Sequence, residues 1–401
     1  MKAAVVLSLV SAFQIFHQGL VNTYALNYPF ALWQISALSA AFPIGKFFGT
    51  ASVYAIYRRF SLRHTLDFDA VLLVLGAIVS LLPSWFFLCV GRFLVGVGSG
   101  MGFISSNVAI FELTSFSERP RVFFVGAILY ASSILFANVV TVLGNMPYIL
   151  LVLVTNLPTF FAGVIFLKNR HLFSDLPDSF GEERNASEAE FPPMRNPFWL
   201  AVILMTLNVT IGVPLIMSYS SVIFVAFGLS PKHATFFSTA YPLAQIVLLF
   251  ALRRMSPGRR SLILGGFGFC LMTMFLLLLT LENEQIDPTV RKYALGTLFS
   301  VLAVASGIPC NSAVCLITEQ FESQSLRIRG CANSRMIMWI LSAISSASFL
   351  PLLHFSPLAS FLPYFAASLS LFVLLAFAFP DDTEYFCLES PSETGYGTAV
   401  H

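Results

Sequence analysis

A small set of polar side chains lies inside long apolar runs of this 401-residue sequence, where hydrogen bonding to a polar solute is the chemistry open to them. Asn, Gln and Tyr offer neutral donors and acceptors, and such groups are costly in apolar surroundings without a role or a partner. For a single Ser or Asn, an interhelical or backbone hydrogen bond is the stronger alternative. Tyr219 is the first candidate, because its ring can close a site while its hydroxyl bonds a solute. The full set of candidates for solute binding is Gln18, Asn22, Asn208, Tyr219, Tyr241, Gln245 and Asn311.

Other kinds of chemistry find no support in the sequence. The six cysteines show neither CxxC spacing nor a cluster with histidine, so we expect free thiols and no metal site. No nucleophile–base constellation and no nucleotide-binding motif occurs, which argues against an enzyme and against an ATP-driven pump. The expected partners are a small neutral solute and the lipid bilayer, with no cofactor and no nucleic acid. A monomer is expected to suffice.

The segments that carry these residues read as membrane-spanning helices. Apolar residues make up 57% of the chain and charged residues only 10%, against about a quarter charged in ordinary globular proteins. Twelve apolar segments each come close to the roughly 20 residues that cross a bilayer core. The sequence therefore predicts an all-α integral membrane protein with twelve transmembrane helices. The predicted spans are 3–22, 30–56, 67–83, 85–110, 121–143, 147–167, 197–226, 233–252, 261–281, 292–316, 331–353 and 357–379.

One long polar interruption divides the spans into two groups of six. With both termini in the cytoplasm, the positive-inside rule places eighteen Lys and Arg residues on the inner side and four on the other. This count puts Lys46 and Arg335 inside or at inner helix ends. We predict an N-terminal half at 1–167, a cytoplasmic linker at 168–196, a C-terminal half at 197–380 and a cytoplasmic tail at 381–401.

Two charged motifs recur at half-chain spacing. "YRRFSLRHTL" (57–66) ends the second span much as "LRRMSPGRRSLIL" (252–264) ends the eighth. "ELTSFSERPR" (112–121) after the fourth span matches "EQFESQSLRIR" (319–329) after the tenth, and each opens on a glutamate. Two motifs that recur at the same half-chain spacing indicate an internal duplication in parallel topology, which is the plan of the major facilitator superfamily.

Several motifs resemble the sugar porters, the branch of that superfamily that includes the facilitative glucose transporters. "GRFLVGVGSGMGFISSNVAIFELTS" (91–115) is similar to the fourth helix of the family, and "GRRSLILGG" (258–266) to its Gly-Arg-Arg signature. "SAFQIFHQGLVNTYALN" (11–27) resembles the first helix and "IGVPLIMSYSSVIFVAFGLS" (211–230) the seventh. The resemblance runs over nearly the whole chain. It implies the major facilitator fold of two six-helix bundles and transport by alternating access.

The chain departs from this family at the positions that contact sugar. Where the family has two glutamines and an asparagine on helix seven, this chain has Asn208, Val209 and Pro214. The glutamine of helix five corresponds to Leu129, and the acidic residue before the second Gly-Arg-Arg corresponds to Met255. A site that loses polar groups also loses its discrimination between hydroxylated substrates. Glucose specificity is therefore not carried over from the family.

The acidic residues predict how transport is driven. All Asp and Glu residues fall in loops, at helix ends or in the tail, with Asp67 and Asp69 placed ahead of the third span. Proton coupling normally needs a titratable group at bilayer depth, so we predict facilitative uniport of a small neutral polar solute, a hexose or related polyol. The alternatives are a transport-inactive or regulatory relative of the sugar porters and a carrier of a non-sugar neutral solute. The plasma membrane is preferred over an organelle.

Charges at the inner helix ends predict a gate. We expect Glu112 and Glu319 to pair with arginines of neighbouring loops when the two halves close on the inside. The alternative is that these charges only set the topology. The arginines of the predicted gate are Arg121, Arg259, Arg260, Arg327 and Arg329.

Overall fold

The computed structural model describes residues 2–27, 30–115, 118–142, 147–174, 176, 196–255, 258, 260–321 and 323–379. Its regular structure in these ranges is helical and gives twelve spans, which confirms the predicted all-α membrane fold. The first six are α1 (Lys2–Asn27), α2 (Leu32–Arg59), α3 (Leu62–Ser80), α4 (Trp85–Leu113), α5 (Arg119–Val142) and α6 (Tyr148–Lys168), followed by a 3₁₀ helix at Arg170–Phe173.

The second six spans begin with α7, which is broken into α7a (Asn196–Thr210) and α7b (Val213–Ala226). They continue with α8 (Pro231–Met255), α9 (Gly266–Glu282, after a π-helical turn at Ser261–Gly265), α10 (Pro288–Glu319), α11 (Gln324–Phe355) and α12 (Pro357–Ala378). Within the described ranges, nine helical segments are long and apolar enough to cross a membrane, and they correspond to α4 through α12.

Helix α3 begins at Leu62, five residues earlier than predicted. Ser61 is its N-cap, and the Ser61 hydroxyl accepts a hydrogen bond from the backbone N–H of His64. A serine cap fixes a helix start whatever the polarity of the first turns, whereas the prediction relied on apolar runs alone. Asp69 consequently lies about two turns inside α3 and is only 1% exposed. The prediction that Asp69 precedes the third span is wrong.

Helix α11 also begins early, at Gln324 instead of 331. Ser323 caps it by accepting from the backbone N–H of Leu326. Arg335 therefore lies about three turns inside the helix and is 1% exposed, and Lys46 lies near the middle of α2 and is 2% exposed. The predicted placement of Lys46 and Arg335 at inner helix ends is wrong, and both cations lie within spans.

The two groups of six helices meet along pairs that repeat with a six-helix shift. Helix α2 packs against α11, α5 packs against α8, and α1 packs against α7b. In the duplication, α2 corresponds to α8, α5 to α11 and α1 to α7. The pair α2–α11 is therefore equivalent to the pair α8–α5, and α1 packs against its own counterpart. This pattern is the one that a parallel duplication related by a pseudo-two-fold axis produces.

Glycines bring α2 and α4 into close backbone contact. A Cβ added to Gly49 would overlap the backbone of Val97, and one added to Gly100 would overlap the backbone of Lys46. Small residues at such positions let helix backbones approach closely in membrane proteins. The approach holds the Lys46 backbone rigidly against α4.

The break in α7 follows from one glycine and one proline. Gly212 has a φ of +89°, a left-handed conformation that an L residue with a side chain adopts only at a cost, and Pro214 opens α7b. Interrupted helices of this kind line the central sites of many transporters. In this chain the break lies beside the cavity described next.

Candidate functional site: the cavity between the two halves

A cavity of about 90 Å³ lies between the two halves. Helices α2, α4 and α5 line it from the first half, and α7, α8, α10 and α11 line it from the second. Four of the predicted solute-binding residues come together on its wall: Asn208 from α7a, Tyr241 and Gln245 from α8, and Asn311 from α10. The structure therefore brings four of the predicted residues together in one cavity.

Asn22 and Tyr219 lie outside the cavity lining. The Asn22 amide donates to the Ser220 hydroxyl at 3.1 Å, and its Oδ1 accepts from the backbone N–H of Ser221 at 3.2 Å. Tyr219 donates its hydroxyl proton to the Ser346 carbonyl at 2.7 Å. Asn22 thus joins α1 to α7b, whereas Tyr219 joins α7b to α11. The side chain of Gln18 is outside the described part of the chain.

Several donors on the cavity wall have no hydrogen-bond partner in the described part of the protein. They are the Tyr241 hydroxyl, the Asn311 Nδ2, the Trp339 Nε1 and all three guanidinium nitrogens of Arg335. Buried polar groups are normally paired, so unpaired donors around a cavity mark groups that a ligand or water can satisfy. The cavity is therefore a site rich in hydrogen-bond donors.

Lys46 and Arg335 face the cavity from opposite halves and contact aromatic rings. The Lys46 Nζ lies 4.2 Å from the centroid of the Trp339 ring and 4.6 Å from that of Phe42. The Arg335 guanidinium lies 4.8 Å from the centroid of Phe103. Such cation–π contacts stabilise a desolvated cation without neutralising it. The sequence analysis did not predict that either cation lines the cavity. The position of Lys46 in the middle of a predicted span could have indicated it.

Asp69 is held away from the cavity, inside the first half. Gln14 of α1 donates to its Oδ2 at 2.7 Å, and a Cβ on Gly102 of α4 would overlap its carboxylate. Asp69 therefore ties α3 to α1 and fills a space that the glycine leaves.

A second group of contacts joins the halves at the basic face, which we define by Arg58, Arg59, Arg63, Arg119 and Arg327. Here Arg327 of α11 forms a salt bridge with Glu112 of α4 at 2.6 Å, with the two side chains 15% and 19% exposed. Tyr57 donates to the Gln324 Oε1 at 2.9 Å. These contacts join the two halves on the basic face, and the Asn22 contacts lie toward the opposite face.

The other residues of the predicted gate are placed differently. Arg121 is exposed at the start of α5. The Arg329 guanidinium lies 5.7 Å from the centroid of the Tyr54 ring. Arg260 is half-buried beside the π-helical turn. Residue Arg259 and the side chain of Glu319 are outside the described part of the chain.

Sequence reasoning also missed an aromatic component at the basic face. Phe111, next to Glu112, lies between two guanidinium groups, with its centroid 3.6 Å from Arg119 and 4.4 Å from Arg327. The ring packs against the same arginine that forms the salt bridge with Glu112.

Comparison with known proteins gives three kinds of match. The family model for the Major Facilitator Superfamily matches residues 4–325. The facilitated glucose transporter protein 1 of Caenorhabditis elegans is 28% identical over 197 residues, which is 47% of this chain and 38% of that transporter. The chain therefore matches well under half the length of that curated relative.

Solved structures similar to this one include several of a xylose transporter. The proton:xylose symporter XylE bound to 6-bromo-6-deoxy-D-glucose superposes with a TM-score of 0.72 at 15% identity, covering 94% of each chain. The inward-open XylE of E. coli gives a TM-score of 0.66 at 14% identity, covering 94% of this chain and 95% of that one. At this identity the likeness shows the fold alone. The family model matches residues 4–325, which is most of this chain, and the fold agrees with it. The chain therefore belongs to the Major Facilitator Superfamily.

Proposed function

We propose that this chain is a carrier that moves a small polar solute of the hexose or polyol class across a membrane by alternating access. The observation that carries the proposal is the donor-rich cavity between the two halves of a major facilitator fold. The names of its relatives, a facilitated glucose transporter and a xylose symporter, support a sugar-class solute. A carrier of this kind is not an enzyme, and it performs no bond chemistry on the solute.

The cross-half contacts support a two-sided gate. The salt bridge between Glu112 and Arg327 closes the basic face and must break when the halves part there. The hydrogen bonds of Asn22 with α7b must break when the halves part on the opposite side. Rocking of one half against the other about the cavity exchanges these two sets of contacts.

Passive uniport agrees with the position of the buried carboxylate. Asp69 lies against Gln14 and Gly102 and does not line the cavity, so a proton on it makes no direct contact with a bound solute. The orientation follows from the charges, because a basic face belongs on the cytoplasmic side. Both termini are then cytoplasmic, and we assign the protein to the plasma membrane.

Uptake into proteoliposomes tests the carrier function. Purified protein should equilibrate labelled hexoses or polyols down their own gradients, and an excess of the unlabelled solute should slow the uptake of label. Asn311→Ala removes a donor from the cavity wall and should lower uptake roughly tenfold or more. Asn283→Ala, on an exposed loop, is the matched control and should leave uptake unchanged.

If no hexose or polyol enters at a rate above that of empty liposomes, the chain is not a sugar-class carrier, and a transport-inactive relative or a carrier of a non-sugar neutral solute becomes the better description.

A further inference from the structure

The central cavity is lined by two buried cations, and neither forms a salt bridge with a described carboxylate. Arg335 is 1% exposed, and its Nε, Nη1 and Nη2 atoms all lack a hydrogen-bond partner. The Lys46 ammonium, 2% exposed, contacts aromatic rings. Neither cation takes part in the salt bridges found among the described residues, which join Arg170 to Asp67 and Arg327 to Glu112.

The Asp69 carboxylate interacts electrostatically with Lys46 from behind the cavity wall, whereas no described carboxylate interacts in this way with Arg335. Of the described Asp and Glu side chains, Asp69 alone is buried, and its Oδ2 is occupied by Gln14. Asp69 packs against Gly102 in the first half and is not part of the cavity wall. Burying an unpaired charge at membrane depth is costly, and such residues face partners or substrate pathways. The missing anionic partner of Arg335 therefore indicates an anion that arrives with the solute.

The remaining polar groups on the wall fit the same kind of ligand. The Tyr241 hydroxyl, the Asn311 Nδ2 and the Trp339 Nε1 are unpaired donors beside the two cations. Donors in excess of acceptors call for a ligand rich in acceptor oxygens. A planar guanidinium with all its N–H groups free matches the two oxygens of a carboxylate or phosphate.

We propose that the cavity binds its solute through an anionic group, a carboxylate or a phosphate, held between Arg335 on α11 and Lys46 on α2. Since the two cations belong to different halves, the anion also bridges the halves when it binds. The hydroxyl groups of the solute then lie against Asn311 and Tyr241. The inference rests on the proposed carrier function, and it narrows the hexose or polyol class to members that carry a carboxylate or a phosphate, which are sugar acids and sugar phosphates.

Three probes of similar size test the proposal: D-glucose, D-glucuronate, which carries a carboxylate in place of the terminal CH₂OH, and D-glucose 6-phosphate. Binding is measured in detergent as the ligand-dependent rise in the unfolding temperature of the full chain, which does not require transport. An anionic probe should bind the wild-type protein roughly ten- to a hundredfold more tightly than glucose. Whether glucuronate or glucose 6-phosphate binds more tightly shows which anionic group, a carboxylate or a phosphate, the cavity prefers.

Variants assign the effect to the cavity. Arg335→Gln and Lys46→Met should each remove most of the preference for the anionic probe, and Arg335→Lys should restore part of it, because the charge returns without the guanidinium fork. Lys232→Gln removes one positive charge from an exposed position on the opposite face and should keep the wild-type preference. The wild-type comparison stands on its own if a cavity variant does not fold.

Uptake of the same probes into proteoliposomes separates the two proposals. Glucose uptake with no preference for either anion, unchanged in Arg335→Gln, would overturn the anion site and leave the carrier function in place. Tight binding of an anion that depends on Arg335, without uptake of any probe, would uphold the site and overturn the carrier function. Absence of both binding and uptake would overturn both.

Discussion

The salt bridge between Glu112 and Arg327 is the residue-scale contact that most directly tests the gate. Its two side chains belong to different halves and are mostly buried, so breaking it should favour the state that opens on the basic face by about 1 kcal/mol or less. We expect Glu112→Gln to speed the labelling of a Val314→Cys probe on the cavity wall by an impermeant maleimide applied from the basic face. The measurement is made in a background without the native cysteines.

A second salt bridge provides the matched control. Arg170 and Asp67 pair at 2.7 Å within the first half, so Asp67→Asn removes a salt bridge without touching the seam between the halves. It should leave the labelling rate unchanged. Exchanging the charges in the double variant Glu112→Arg, Arg327→Glu should restore the slow labelling. Equal acceleration by Asp67→Asn and Glu112→Gln would contradict a gate at this pair.

Asp69 is the residue that tests passive transport. Asp69→Asn keeps the size of the side chain and its contact with Gln14 while removing the carboxylate. We expect wild type and variant alike to equilibrate the solute at the same final level with and without an imposed pH gradient. Accumulation of solute driven by the pH gradient in wild type, and lost in Asp69→Asn, would show proton coupling through this residue.

Polarity alone identified part of the site and could not identify the rest. Four residues of the cavity wall were predictable, because a polar side chain in an apolar span is costly unless it binds a partner or a solute. They are Asn208, Tyr241, Gln245 and Asn311. Tyr219 satisfies the same rule through the Ser346 carbonyl, a partner far away in the sequence. Whether a polar side chain faces the cavity or a neighbouring helix depends on how its helix is rotated about its own axis. The sequence does not specify this rotation, because the faces of these helices differ little in hydropathy.

At the scale of elements, the contact between α2 and α4 depends on glycine. Gly49→Ala should destabilise the protein by about 1–3 kcal/mol, because the added methyl group meets the backbone of Val97, which cannot move as a side chain can. Gly265→Ala is the matched control: a Cβ there meets nothing within 4 Å, so a neutral or slightly stabilising effect is expected. Thermal unfolding in detergent compares the two variants, and equal unfolding temperatures would contradict the packing argument.

Helix starts were the least predictable feature of the elements, and they changed the interpretation of the site. The apolar runs located all twelve spans, since length and hydropathy report directly on the bilayer core. They placed the starts of α3 and α11 too late, because the serine caps Ser61 and Ser323 are followed by polar first turns. Both caps were visible in the sequence, and applying the capping rule would have placed Asp69 and Arg335 inside their helices.

At the scale of the whole molecule, transport requires the two halves to part on each side in turn. Asn22 of α1 and Ser220 of α7b hydrogen-bond across the halves at 3.1 Å. Cysteines at these two positions, joined by a short cross-linker in a background without the native cysteines, should hold the side away from the basic face closed and abolish uptake. Cleavage of the cross-link should restore uptake, and the uncross-linked double variant is the control. Continued uptake with the cross-link fully formed would rule out opening on that side.

The duplication was predictable at this scale because two charged motifs repeat in register, and the helix pairs α2–α11 and α5–α8 follow that repeat. The chemistry of the two seams was not predictable from the repeat. Lys46 and Tyr57 give the α2–α11 seam its polar and cationic contacts. At the α5–α8 seam, the Asn138 amide donates to the Ser238 carbonyl at 2.6 Å. A repeat conserves the path of the backbone, while each copy is free to change its side chains.

The position of Lys46 and Arg335 several turns inside their helices also determines how an electrical potential acts on the carrier. Rocking tilts α2 and α11 without carrying these two residues from one surface of the membrane to the other, so their fixed charges traverse little of the field. A solute with one negative charge traverses all of it, at about 2.3 kcal/mol per 100 mV. The steepness with which uptake varies with voltage therefore reports the charge of the cargo and very little of the charge of the carrier.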